Sequence, residues 1–331
     1  MENKSSTRIL WPDILKTFAV FLVILGHISS TYDSREYFSP VALWIYSFHM
    51  PLFMMLSGMF FKYSLKKDFK TLLIDKSRLL LLPLLCWGMM NFIIETLLFT
   101  DINNWGGVII GYVKSGGPLR GYWYLKCLFV YLIVNWLLVI LTKKLPFSAL
   151  LSIIVFMLLP NVNFSKMMIV FFWLGIFYEN FARKINTKTL LLIVSVAMVV
   201  CYLLLDVKAT YLCSSGSVVK YIQFLLVGTF ASFFWITLFE LLIPKKSTSK
   251  SVILLQEVGI LSLGIYCIHE FFYFENLYQP VWERLNTDSM IVQISYSVMV
   301  LIISFAFVKL LSRNKYTSLL FLGRKLPKKG T

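Results

Sequence analysis

Apolar runs long enough to cross a bilayer recur from one end of this chain to the other, and that recurrence leaves few folds open to it. Ten such segments can be read, at residues 11–31, 41–61, 79–100, 122–142, 147–160, 167–182, 189–206, 218–243, 252–275 and 289–311. Over 331 positions the chain is 58% hydrophobic and 15% charged, whereas a soluble domain carries about 25% charged residues. A soluble core of this size cannot bury the surplus. Hydrocarbon requires every backbone polar group to be paired internally, which helices achieve segment by segment. The expected fold is an all-α membrane protein: a polytopic bundle of about ten transmembrane helices in one domain covering 1–331. No internal repeat and no appended soluble domain are expected.

The net charge of +16 would suit nucleic acid, but its distribution suits a membrane. With the N-terminus in the cytoplasm, twenty-three cations fall on inner segments and six on outer ones. That asymmetry satisfies the positive-inside rule and puts both termini in the cytoplasm. The expected partners are membrane lipids, anionic ones at the inner face above all, or an anionic cofactor, and not nucleic acid. Segment 147–160 is short and ends at Pro160. Its loss would invert every later loop, so it is expected to cross or to pair with something re-entrant. The first segment carries Asp13 and Lys16 and lacks a small-residue cleavage site, which argues against a signal peptide. The five cysteines show no CxxC and no metal-ligand spacing, so they read as packing residues and no metal site is expected. The outer stretch 101–121, rich in Gly, Asn and Trp, reads either as an irregular lid or re-entrant turn or as a plain loop.

All three histidines lie in apolar segments, where an ionisable group is costly and points to function by default. Lys16 precedes His27 by eleven residues, about three helical turns plus 20°, so the two share a face about 16 Å apart along the axis. Asp13, three residues before Lys16, can pair with it. The spacing alone is weak, because chance supplies such pairs readily. In the second segment Pro51 should kink the helix near His49 and free carbonyls to line a cavity, while Ser57 and Gly58 allow close helix approach. In the ninth, Ser262, Tyr266, His269 and Tyr273 recur at steps of four, three and four on one face. Each histidine can also be read as a packed, satisfied polar residue, and Trp123 and Tyr124 as interface anchors.

Five stretches together resemble the integral-membrane acyltransferase family 3, especially its fucose 4-O-acetylase-like branch. The first, Arg8-Ile-Leu-Trp-Pro-Asp13-Ile-Leu-Lys16 followed by Gly26-His27, is similar to the family's opening helix, with its signature of Arg or Lys, ten residues, then His. The run from Phe48-His49-Met50-Pro51 to Ser57-Gly58 resembles its second-helix motif. Arg78 to Pro83, Trp123 to Phe129 and Ser262 to His269 follow in the family's order, so the resemblance covers nearly the whole chain. Lys16 stands where arginine is commoner, and the Leu119-Arg120-Gly121-Tyr122 spacing before Trp123 is longer than usual.

The resemblance implies a ten-helix bundle in the cytoplasmic membrane that moves an acetyl group from cytoplasmic acetyl-CoA to a hydroxyl at the outer face. The acceptor would be a cell-surface polysaccharide or lipid-linked oligosaccharide. Acetyl-CoA enters as donor substrate, with no permanently bound cofactor, and self-association into a homo-oligomer is compatible with the pattern. A sugar hydroxyl is a poor nucleophile until a base takes its proton, and His27 is the expected base, with Lys16 and Asp13 completing the catalytic set. Lys16, Arg78 and the inner-loop cations would hold CoA phosphates, while His49, Ser57, Trp123, Tyr124, Tyr266 and His269 would bind substrate. A carrier for a lipid-linked glycan or small polar solute is the alternative, since intramembrane polar residues also line transport paths.

Overall fold

The computed structural model describes residues 8–31, 39–99, 105–114, 122–158, 163–205, 218–269, 271 and 289–324, and these are helical with no strand among them. In chain order the helices are α1 Trp11–Thr31, α2 Pro40–Tyr46, α3 His49–Met59, α4 Lys62–Leu65, α5 Phe69–Lys76, α6 Leu82–Phe99, α7 Trp105–Lys114 and α8 Trp123–Thr142. They continue with α9 Leu145–Leu158, α10 Asn163–Asn180, α11 Thr187–Leu204, α12 Val218–Leu242, α13 Lys250–Ile260, α14 Ser262–Ile268, α15 Met290–Leu311 and α16 Lys315–Leu322. Seven of the described helical stretches are long and apolar enough to cross a membrane, or eight when α13 and α14, bent by 61°, count as one. The chain is a multi-pass membrane protein. It divides into two compact units, one of residues 1–60 with 160–262, the other of 61–159 with 263–331.

In the first unit α1 is the interior helix. Its crossing window is 78% buried, against 11% for α11, so α11 turns most of its apolar side chains outward as a lipid-facing helix does. The second span is interrupted at Ser47–Phe48, between α2 and α3. Pro51 lies in the first turn of α3, where its missing N–H costs nothing, and its ring is incompatible with a helical carbonyl at Ser47. The expected kink is therefore a break two residues before His49. Beyond it α3 and α10 cross with their backbones nearly touching. A Cβ on Gly58 would strike the Phe172 carbonyl, and one on Gly175 would strike the Met55 carbonyl. Without a hydrophobic effect between helices in lipid, such close approach is a main source of association.

Glu179 and Glu240, near helix ends, share a partner. Arg183 bonds both, at 2.9 Å to Glu179 and 2.8 Å to Glu240, and Tyr178 donates to Glu240 at 3.0 Å. Burial works against the Arg183 charge, but its hydrogen bonds and attraction to Glu240 and Glu179 outweigh that and raise its pKa.

In the second unit the stretch 62–78, expected as a cationic loop, is largely helical. Asp68 caps α5 by accepting from the Thr71 N–H at 2.9 Å. From α5 the helix runs through a π turn, Ser77–Leu81, directly into α6, so the third span begins some ten residues before the expected 79. The wide turn lies just before Pro83, whose ring needs room at the carbonyl four residues back. Part of the outer stretch 101–121 is helix α7, which lies along α6: Tyr112 stacks on Phe92 at 3.8 Å and donates to the Gly88 carbonyl at 3.0 Å. Residues 101–104 and 115–121 lie outside the described residues, as does Tyr273.

The uncertain fifth span resolves as α9, fourteen residues and thus about 21 Å long, short of the roughly 30 Å of hydrocarbon. It doubles back along α8 through a polar seam. Tyr131 meets Phe156 at 4.8 Å, Thr142 and Ser148 share a 2.5 Å hydroxyl contact, and buried Asn135 and Ser152 occupy facing register positions between them. A partner helix, rather than length, keeps α9 in place.

The glycine contacts give a direct test. Gly175→Val should destabilise the protein by about 1–3 kcal/mol, the usual cost of forcing atoms into a packed interface. It should lower the thermal midpoint in detergent, whereas a valine at exposed Gly111 should leave that midpoint within error.

Candidate active site

The first cluster grows from the N-terminal turn of α1. Asp13 is buried, its side chain 3% exposed, and a lone carboxylate there would be costly. Arg8 reaches it through Nε at 2.5 Å and Nη2 at 2.9 Å, and Lys16 through Nζ at 2.6 Å. The expected pairing of Asp13 with Lys16 is present, and Arg8 is the partner that spacing alone did not supply. Two cations on one carboxylate leave a net positive end to the helix. Its position is set by α13: Gly259 sits against the Asp13 carbonyl, and Thr17 donates to the Leu255 carbonyl at 2.5 Å.

Toward the other end of α1, Gly26 admits Ile45 and Tyr46 of α2 into contact. That packing sets His27 edge-on to the Tyr46 ring at 6.1 Å, and Tyr46 in turn lies 5.2 Å from His49. The structure therefore brings two of the three histidines together, with a tyrosine between them that sequence reasoning missed. Tyr46 stands three residues before His49, a spacing that shares one face in an unbroken helix, and that spacing was the available signal. His49 Nδ1 lies 2.8 Å from the Ile45 carbonyl. A carbonyl oxygen only accepts, so Nδ1 carries the proton and the neutral ring presents Nε2 as its basic nitrogen. At the break the Ile45 carbonyl also accepts from the Phe48 N–H at 3.2 Å, while the Trp44 carbonyl accepts from Ser47 Oγ at 2.6 Å and Ser47 meets the Tyr202 hydroxyl at 2.8 Å. Ser57 lies two turns beyond His49, and its hydroxyl hydrogen is given to the Phe53 carbonyl at 2.9 Å.

The second cluster belongs to the other unit. His269 is buried, with Nδ1 at 2.5 Å from the Tyr266 carbonyl, so it too presents Nε2. Its ring lies 5.6 Å from Tyr266, which contacts Tyr124 at 5.8 Å and Tyr122 at 6.2 Å; Trp123 is adjacent to Tyr124 at 6.3 Å. Tyr124, Tyr266 and His269 thus lie together. Tyr122 was not anticipated, and its backbone is unusual: φ is 53° and ψ 42°, the left-handed region that costs a non-glycine residue about 1–2 kcal/mol.

Arg78 lies apart from that aromatic group, in the π turn. Its Nη2 bonds Asp75 at 3.1 Å, Lys67 closes on the same carboxylate at 2.5 Å, and its Nε donates to the Gly323 carbonyl at 3.2 Å. Gly323 has φ +62°, and a Cβ there would strike the Arg78 carbonyl. The end of α16 is consequently a fixed support for the arginine, a pairing 245 residues apart that no local pattern reveals.

Comparison with known proteins gives this geometry a family. The nodulation protein NolL of Sinorhizobium fredii (strain NBRC 101917 / NGR234) is 34% identical over 119 residues, which cover 34% of this chain and 32% of that protein. The similarity thus spans about a third of the relative's length. No solved structure matches. The family described as an acyltransferase domain matches residues 9–309, a range that takes in both histidine clusters, Lys16 and Arg78. The chain belongs to acyltransferase family 3.

Proposed function

We propose that the protein is an O-acetyltransferase of the cell membrane, taking acetyl from cytoplasmic acetyl-CoA and passing it to a glycan hydroxyl at the outer face. The acceptor is a cell-surface polysaccharide or a lipid-linked oligosaccharide, and the chain crosses the membrane about ten times with both termini in the cytoplasm. The observation that carries this reading is the layout of α1. One end holds Arg8 and Lys16 on a buried carboxylate, and about 16 Å further along the same face lies His27, beside Tyr46 and His49. A donor with an anionic head and a long arm bearing its reactive thioester needs both features at that separation.

In this mechanism His27 takes the proton of the acceptor hydroxyl as its oxygen attacks the thioester carbonyl carbon. The tetrahedral intermediate collapses with cleavage of the carbon–sulfur bond, and the departing thiolate is protonated by the His27 imidazolium. A positioned base of this kind contributes about 10²–10⁴-fold. His49, its Nδ1 hydrogen engaged by Ile45, turns a basic Nε2 to the same neighbourhood and orients the acceptor or the carbonyl. Lys16 and Arg8 hold donor phosphates as point charge and fork respectively, with Asp13 fixing their separation. Tyr124, Tyr266 and Trp123 offer ring faces to a sugar, and His269 orients it. Acetyl-CoA is a substrate throughout and leaves as free CoA.

Two outcomes follow. His27→Ala should abolish acetyl transfer by the purified protein, by at least about 10²-fold, while detergent solubility and thermal midpoint stay those of the parent; near-parental turnover would refute the base. Asp13→Asn should release Arg8 and Lys16 from their common anchor. KM for acetyl-CoA should then rise several-fold with kcat nearly unchanged, measured as CoA release against donor concentration.

A further inference from the structure

Tyr122 combines a strained backbone with a hydroxyl fixed on two sides. It precedes α8 with φ 53°, and its hydroxyl lies 3.0 Å from the Cys267 carbonyl and 2.9 Å from Asn91 Nδ2. The direction of this chain is settled by chemistry. The carbonyl can only accept, so the Tyr122 O–H donates to it, and the lone pairs of the same oxygen accept from the Asn91 amide. The carbonyls of Tyr266 and Cys267 belong to the last turn of α14. One is bonded by His269 Nδ1 and the other by Tyr122.

We propose that Tyr122, backed by Asn91, is a positioning residue for His269. By bonding the Cys267 carbonyl it holds the last turn of α14 so that the neighbouring Tyr266 carbonyl meets His269 Nδ1 and directs Nε2. This explains why a non-glycine residue keeps an unfavourable backbone conformation: extended φ at position 122 would withdraw the hydroxyl from both partners. The ring supports the arrangement as well, lying 6.2 Å from Tyr266. The significance of the arrangement for acceptor binding rests on the role given above to His269, but the positioning itself does not.

The test reads histidine reactivity and needs no acceptor. Purified full-length protein is treated with diethyl pyrocarbonate, and the modification rate of each histidine is followed by mass spectrometry of its peptide. Tyr122→Phe keeps the ring and removes only the hydroxyl. It should raise the rate at His269 about tenfold and leave the rates at His27 and His49 within twofold of the parent. Asn91→Leu should give a smaller rise confined to the same histidine, and it stands as the test if Tyr122→Phe does not fold. An unchanged His269 rate, or equal acceleration of all three histidines, overturns the proposal. Activity lost in His27→Ala tests the acetyl-transfer reading separately, so the failure of one is distinguishable from the failure of the other.

Discussion

A carboxylate buried at the end of an apolar helix persists only when cations neutralise it, and Asp13 has Arg8 and Lys16 on its two oxygens. The position of α1 follows from that arrangement. Because the charge is neutralised locally, the Asp13 carbonyl can be covered by Gly259 of α13, and Thr17 can bond Leu255 one turn further along. At its other end α1 is held by the contact of Gly26 with α2. A helix gripped at both ends carries Lys16 and His27 at a separation that helical rise dictates. Neither residue is placed by a loop, so their relation is as rigid as the fold can make it.

Broken helices impose a second constraint, and both breaks near a histidine are handled in the same way. A helix interrupted within hydrocarbon exposes carbonyls that water cannot reach. After the Ser47–Phe48 break the Ile45 carbonyl is bonded by His49, and at the end of α14 the Tyr266 carbonyl is bonded by His269. The imidazole bonds the carbonyl through Nδ1, which leaves Nε2 as the basic nitrogen of the neutral ring. A lysine in that role would bring a fixed charge into hydrocarbon, and a serine would cap without offering a base. The carbonyl at each irregular turn thus fixes the tautomer of the histidine that bonds it.

Much of this was legible in the residues before any coordinates. Apolar length announced the helices, and the three-residue step from Asp13 to Lys16 announced their pairing. Pro51 marked the break, and Ser57-Gly58 the close approach realised against Phe172. What stayed hidden depends on contacts between distant segments. The support of Arg78 by Gly323 and the tie from Tyr122 to Cys267 join residues 245 and 145 positions apart, and periodicity within a helix carries no information about them. Span length is incomplete in two places for a related reason. Residues 62–78 are cationic enough to read as a loop, yet a capped α5 continues through a π turn into α6. Segment 147–160 is short for a span, and what its length does not show is that Ser148 bonds Thr142 and Phe156 meets Tyr131 of α8.

Backbone contact at glycine is the more frequent device in the first unit, and long side-chain anchors in the second. In the first, Gly58, Gly175 and Gly259 let one backbone rest on another, a contact that admits no substitution and little movement. In the second, long side chains reach across to distant carbonyls: Trp87 to Phe321, Trp136 to Lys67, Tyr122 to Cys267 and Arg78 to Gly323. Each of these anchors can be exchanged singly without driving backbones together. Under the acetyl-transfer reading this difference matches the demands of the chemistry. Thioester and base have to keep one geometry whatever the acceptor, which suits glycine-packed helices around α1. Recognition of a glycan has to be adjustable, and aromatic side chains on separate anchors, with His269 among them, can be changed one at a time while the α1 layout stays intact.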